Sequence, residues 1–227
     1  MIKIEDKPAY NLYKNKNSFS YCLSIKDENT YNKIFIPLLV NQIPNSFYNE
    51  LQNAIIFTAE SATSLTSKIV KTQTIQMIKC LCEQLEYLHK NNLAFYGFDM
   101  DDIIVINETQ FIIINNKYIQ TIDSSNSSLT FYSPFSKPYF SSPELKNLKC
   151  LPANIDYRTC YYSLGALIVF YLFDYKLPSE NDTKRENQED EDEAEDKVFE
   201  SILNTKLYWF LKRCLNDNPK KRILLFL

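Results

Sequence analysis

Glycine is nearly missing from this chain: Gly97 and Gly165 are the only two in 227 residues, and residues 1–60 contain none. A loop that brings several backbone N–H groups against phosphate needs glycine, because a Cβ blocks that close approach. No glycine-rich phosphate loop is therefore expected in the first 60 residues. Nor is there an apolar run of the roughly 20 residues that a bilayer span requires. The start, Met1-Ile-Lys-Ile-Glu-Asp-Lys7, lacks the apolar core of a secretory signal. Six cysteines are scattered, and only Cys80-Leu-Cys82 is closely spaced. One intervening residue suits neither a zinc knuckle nor a Cys-x-x-Cys redox pair. They read as reduced, mostly buried thiols of an intracellular protein, cytoplasmic or nuclear. The net charge of −3 gives no general electrostatic basis for binding nucleic acid or a membrane surface.

What the chain does have is a dense apolar centre. Cys160-Tyr-Tyr-Ser-Leu-Gly-Ala-Leu-Ile-Val-Phe-Tyr-Leu172 is apolar on nearly every face, which places a helix in the middle of a domain. Gly165 inside it costs about 1 kcal/mol against alanine, so close approach by a neighbouring segment is expected there. Residues 72–90 predict an amphipathic helix on the stripe Ile75, Ile78, Cys82, Leu85 and Leu88. Residues 103–106 and 111–114 predict a β-hairpin. Residues 1–60 read as strand-rich: Phe19–Ile25, the run Lys33–Val40 broken by Pro37, and Ala54–Thr58, with one or two helical turns after Pro44. Residues 121–142, rich in Ser and Thr, read as a long loop. Pro143 opens a short helix, and a last helix runs through Tyr208–Leu215. The charge is uneven: Glu180–Glu200 carries eleven acids against three bases, and 178–197 reads as a solvated, disordered acidic insert.

In order, these pieces resemble the C-terminal lobe of a eukaryotic protein kinase. Leu85-Glu-Tyr-Leu-His-Lys90 is similar to the end of the helix before a kinase catalytic loop, and Ser142-Pro-Glu144 to the Ala-Pro-Glu closing an activation segment. Tyr162-Ser-Leu-Gly165 resembles the Trp-Ser-Leu-Gly of the central helix. Cys214-Leu-Asn-Asp-Asn-Pro-Lys-Lys-Arg222 resembles the late Cys-Leu-x-x-x-Pro-x-x-Arg. The resemblance implies an α+β, bilobal kinase-like fold, with a reduced β-rich N-lobe over 1–60 and a mainly helical C-lobe over 61–227. It also implies a buried ion pair between Glu144 and Arg222, with Gly165 a structural position.

The same resemblance implies lost chemistry. Phosphoryl transfer needs positioned phosphates, metal-held charge neutralisation and a residue that orients the attacking hydroxyl. Lys26, in Leu23-Ser-Ile-Lys26, is the one candidate for the phosphate-binding lysine, and the alternative is a surface lysine at a strand end. In Phe95-Tyr-Gly-Phe-Asp-Met-Asp-Asp-Ile103, one register puts Gly97 where the catalytic Asp belongs and Asp102 where the Asn belongs. The register shifted by one puts Phe98 and Ile103 there, and neither restores the base. Asn115 stands where a metal-binding Asp is expected. Asp99, Asp101 and Asp102 have the carboxylates to hold Mg²⁺, or they form an ordinary solvated loop. The expectation is a catalytically inactive pseudokinase with no cofactor, serving as a protein-binding scaffold or regulatory subunit. The alternatives are a divergent active serine/threonine kinase using ATP and Mg²⁺, and a structural subunit of a larger assembly.

Overall fold

The computed structural model describes residues 1–26, 29–65, 71–175, 177 and 199–225. The acidic insert expected at 178–197 lies outside them. The chain forms two compact units, each drawn from three stretches. The first takes Met1–Thr66, Gln76–Ala94 and Asp99–Gln120; the second takes Ser67–Ile75, Phe95–Phe98 and Thr121–Leu227.

The first unit is built on a five-stranded antiparallel sheet in the order β1-β2-β3-β5-β4: Ile2–Asp6, Tyr10–Lys14, Ser20–Ile25, Ala54–Thr58 and Ser46–Asn49. Between β3 and β4 the chain makes helix α1, Asn32–Gln42, which buries Phe35, Ile36, Leu38 and Leu39. A smaller sheet joins β6 (Ala62–Ser64), β8 (Ile103–Ile106) and β9 (Gln110–Ile113). Helix α2, Lys71–Lys90, buries Met77, Ile78, Leu81, Leu85 and Leu88, while Ile75 is 44% exposed. The buried face is thus rotated from the expected stripe towards Met77 and Leu81. The rotation brings in Gln84, which is wholly buried. Its amide donates to the Ile113 carbonyl at 2.7 Å and accepts from the Ile113 N–H at 2.9 Å. It therefore supplies the ladder partner that the edge strand β9 lacks.

With glycine so scarce, asparagine takes most left-handed backbone positions. Neither glycine has positive φ, whereas Asn45, Asn53, Asn92, Asn107 and Asn204 do. Asparagine tolerates that region better than other residues with a Cβ. Asn107 and Glu108, at φ 49° and 60°, open the three-residue turn of the β8–β9 hairpin, which the Thr109 N–H closes by donating to the Ile106 carbonyl at 3.2 Å.

In the second unit, helix α4 (Thr159–Phe173) buries twelve of its fifteen residues. A Cβ on Gly165 would lie 2.9 Å from Leu215 Cδ2 and 3.1 Å from Cys214 Cβ, so the glycine admits the end of helix α5, Lys206–Cys214. Short helix α3, Pro143–Lys146, starts on its proline. Strands β10 (Ile119–Asp123), β11 (Ser128–Phe131) and β12 (Ala153–Asp156) form an antiparallel meander, and with β7 (Leu93–Phe95) they complete a four-stranded sheet.

These findings correct the kinase-like expectation. The described residues hold three antiparallel sheets with twelve strands and only five α-helices, one of them a single turn. A mainly helical C-lobe is not what the structure shows, so the resemblance to the kinase family is set aside. The stretch 121–142, expected to be a loop, is where the difference begins. In β11, Leu129 and Phe131 are buried on either side of the half-buried Thr130, and in β10 Ile122 is buried between the exposed Thr121 and Asp123. That alternation makes strands despite the polar composition. Two smaller expectations also fail. Lys33–Val40 is helix α1 rather than a strand, and residues 46–49 are strand β4 rather than helical turns.

Candidate functional site

With the family resemblance set aside, the singled-out residues are judged by their geometry. Four of them fall in the first unit, around the turn between β7 and β8. Asp102 is 3% exposed. Its Oδ1 accepts from Asn115 Nδ2 at 2.7 Å, and its Oδ2 accepts from the Asp99 N–H at 2.5 Å. Asn115 is also buried, and its Oδ1 accepts from the Lys117 N–H at 3.0 Å. The Ile114 N–H donates to the Asp102 carbonyl at 2.9 Å, so backbone and side chain together fasten β9's exit to this turn. Burial pushes the Asp102 carboxyl up to about 7, and the nearby Asp99 and Asp101 charges add to the rise. The hydrogen bonds from Asp99 and Asn115 act in the opposite direction.

The other two acids of the loop are likewise engaged. The Tyr118 hydroxyl donates to Asp99 Oδ2. Asp101 pairs with Lys7 at 2.8 Å. The three carboxylates thus point to three different partners instead of converging. Among the described residues no group of three or more His, Cys, Asp or Glu side chains is placed to hold a metal ion.

Lys26 sits at the end of β3. Its Nζ lies 2.6 Å from Asp6 Oδ1 and 2.6 Å from the Lys7 carbonyl. The hydrogen bond from Lys26, followed by that from Lys3, holds the Asp6 carboxyl down to about 2. Lys26 thereby ties the end of β3 to the end of β1. Next to it, Glu5 accepts from the Tyr10 hydroxyl, the Thr63 hydroxyl and the Ser64 N–H at 2.6, 2.9 and 2.7 Å. This carboxylate links β1 to β6. Burial, followed by the bond to Glu5, raises the Tyr10 hydroxyl well above its usual value.

The remaining positions fall in the second unit. Arg222 is fully buried and pairs with Glu144 through two N–H groups at 2.5 and 3.0 Å. It also donates to the carbonyls of Asn216 and Asp217 at 2.7 and 3.3 Å, and its guanidinium lies 5.1 Å from the Tyr162 ring centre. Gly97 has no room for a side chain. A Cβ there would stand 2.3 Å from Pro138 Cγ and 2.8 Å from the Phe140 carbonyl oxygen. Its neighbour Phe98 exchanges backbone hydrogen bonds with Phe140, at 3.3 and 2.8 Å. Gly97→Ala is expected to force this pairing apart at about 1–3 kcal/mol, the usual cost of overpacking. A fall in the urea midpoint with the far-UV spectrum unchanged would be the readout, and an unchanged midpoint would refute the packing role.

No pattern in the sequence pointed to Lys7, Glu5, Tyr118 or Gln84. Lys7 and Glu5 lie in an ordinary charged N-terminal stretch. Gln84 stood off the expected apolar stripe, and Tyr118 has no neighbouring residue pattern that assigns it a partner. No protein-family model matches the chain, and neither does any curated protein sequence.

Proposed function

We propose that this protein is a non-catalytic binding protein, a scaffold or regulatory subunit that holds a protein partner and neither transfers phosphate nor carries a cofactor. One observation carries the reading: Asp99, Asp101, Asp102 and Lys26, the charged groups singled out for handling a ligand, each have a partner within the chain. Asp102 is enclosed by Asp99 N–H and Asn115, Asp101 is paired with Lys7, Asp99 is held by Tyr118, and Lys26 is held by Asp6 and the Lys7 carbonyl. Recruiting Asp102 to a metal would break its buried hydrogen bond with Asn115, at about 1–3 kcal/mol when a partner is left unsatisfied, whereas the more exposed pairs of Lys26 and Asp101 would each cost under about 1 kcal/mol. No disulfide joins the six cysteines, which favours an intracellular setting, cytoplasmic or nuclear. Among the described residues no helix is long and apolar enough to cross a membrane.

The test is thermal unfolding with and without ATP and Mg²⁺. A ligand at 100 times its Kd stabilises by about 2.7 kcal/mol, worth roughly 5–10 °C in a chain of this size. The expected shift is under about 1 °C, with no labelled phosphate transferred to a generic protein substrate. A saturable upward shift, or any transfer, would overturn the reading. A positive counterpart is a stoichiometric complex with a second protein on native gel filtration from the source cells.

A further inference from the structure

The second unit carries a surface suited to one kind of partner. Helix α5 buries Leu207, Phe210, Leu211 and Cys214 on its inner side. Its outer side leaves Trp209, the chain's single tryptophan, 51% exposed. Lys206, Trp209 and Arg213 are spaced i, i+3 and i+7, so they share one face of the helix, and Lys212 stands three residues beyond the tryptophan. Arg213 Nη2 donates to the Leu225 carbonyl at 2.7 Å. That bond draws the tail back to α5, and in the tail Ile223 and Leu225 are 52% and 43% exposed. From 206 to 225 the chain carries six basic residues and one acid, Asp217. Among the described residues, only Arg222 of the six is paired with a carboxylate, Glu144.

An exposed tryptophan flanked by cations and aliphatic side chains has the composition of an interaction hot spot. Its charge selects against basic partners and steers acidic ones. A membrane surface is less well matched: α5 spends its apolar face on the protein's own core, and an interfacial helix needs that face for lipid. We infer that the outer face of α5, with the tail at Leu225, docks an acidic peptide segment bearing apolar side chains, contributed by a partner protein. The assignment rests on the binding reading above and specifies the chemistry of the partner.

Because Trp209 is unique, its fluorescence reports on this face alone. The full chain is titrated with a synthetic peptide of alternating acidic and leucine or phenylalanine residues, and with the same peptide carrying lysine for each acid. Saturable blue-shifted emission is expected with the acidic peptide only, weakening as salt screens the charges. The exposed pair Lys206→Glu and Lys212→Glu is expected to weaken binding at least about tenfold, a typical hot-spot loss. Trp209→Ala, read by anisotropy of a labelled peptide, is expected to do the same. Several results would overturn the inference: no saturation, equal binding by the charge-reversed variant, or binding to anionic vesicles in place of the peptide. Binding that appears only after the acids of 180–200 are neutralised would do so too, since the chain's own acidic stretch would then be the occupant. None of these results bears on the ATP test, so failure of this surface and failure of the non-catalytic reading are told apart.

Discussion

Glu144→Ala is expected to destabilise the second unit by about 3–5 kcal/mol, the cost of leaving one partner of a buried ion pair alone. Arg222 has no exposed side-chain surface, whereas Glu144 retains 24%. The two halves of the pair are therefore unequal. Removing Glu144 strands a guanidinium that cannot reach water, although the carbonyls of Asn216 and Asp217 still accept from it. Removing the charge with Arg222→Met leaves a carboxylate that water can reach, but it deprives those two carbonyls of their donor. Thermal unfolding should show Glu144→Ala melting roughly 10 °C or more below the unmodified chain. In the Arg222→Met background, the same alanine substitution should cost less than about 1 kcal/mol, because the interaction it breaks is already gone. Equal costs in both backgrounds would mean that the pair contributes no coupling.

The second large effect is a dependence on pH. In the folded chain the Asp102 carboxyl is raised to about 7 by burial, while in the unfolded chain it returns to about 3.9. Between these values the folded state holds a proton that the unfolded state has released, so stability falls as pH rises through that window. The loss begins near pH 4, is complete slightly above pH 7, and amounts to about 4 kcal/mol. Asp102→Asn has no carboxyl to titrate. It is expected to be less stable at low pH, since one amide oxygen replaces two acceptors for Asp99 N–H and Asn115, yet it should lack this slope. Urea midpoints of both proteins at pH 5, 6, 7 and 8 provide the check. Parallel curves would show that Asp102 stays ionised throughout, with its two N–H donors outweighing desolvation.

Where one periodicity governs a segment, the sequence anticipated the structure. Helix α4 is uniformly apolar, and the β8–β9 hairpin is two isoleucine-rich runs around a short polar turn. Helix α3 starts on Pro143 as expected. Helix α1 was not legible. Its run Phe35-Ile-Pro-Leu-Leu39 is β-branched, aromatic and proline-bearing, which favours a strand by local preference. Burial of Phe35, Ile36, Leu38 and Leu39 on one side overrides that preference. In β10 and β11 the error ran the other way, since serine and threonine hid a strand alternation. The candidate site was legible in its residues and not in their state. Asp99-Met-Asp-Asp102 has the composition of a solvated loop, and nothing local shows that Asp102 lies inside while Asp101 reaches back to Lys7. Burial of a carboxylate depends on residues at positions 7, 115 and 118, and no local pattern connects them.

The interleaving of the two units has a consequence for biosynthesis. The sheet β1–β5 has all its strands once residue 58 has left the ribosome, but the hairpin that belongs to the same unit ends at Ile113. At about 5–20 residues per second, the nascent chain waits roughly 3–10 seconds with that sheet formed and its neighbours not yet made. For that interval apolar surface stands uncovered, open to chaperones or to misassociation. Cutting the backbone near residue 70 would for the same reason yield two fragments that each lack part of both units.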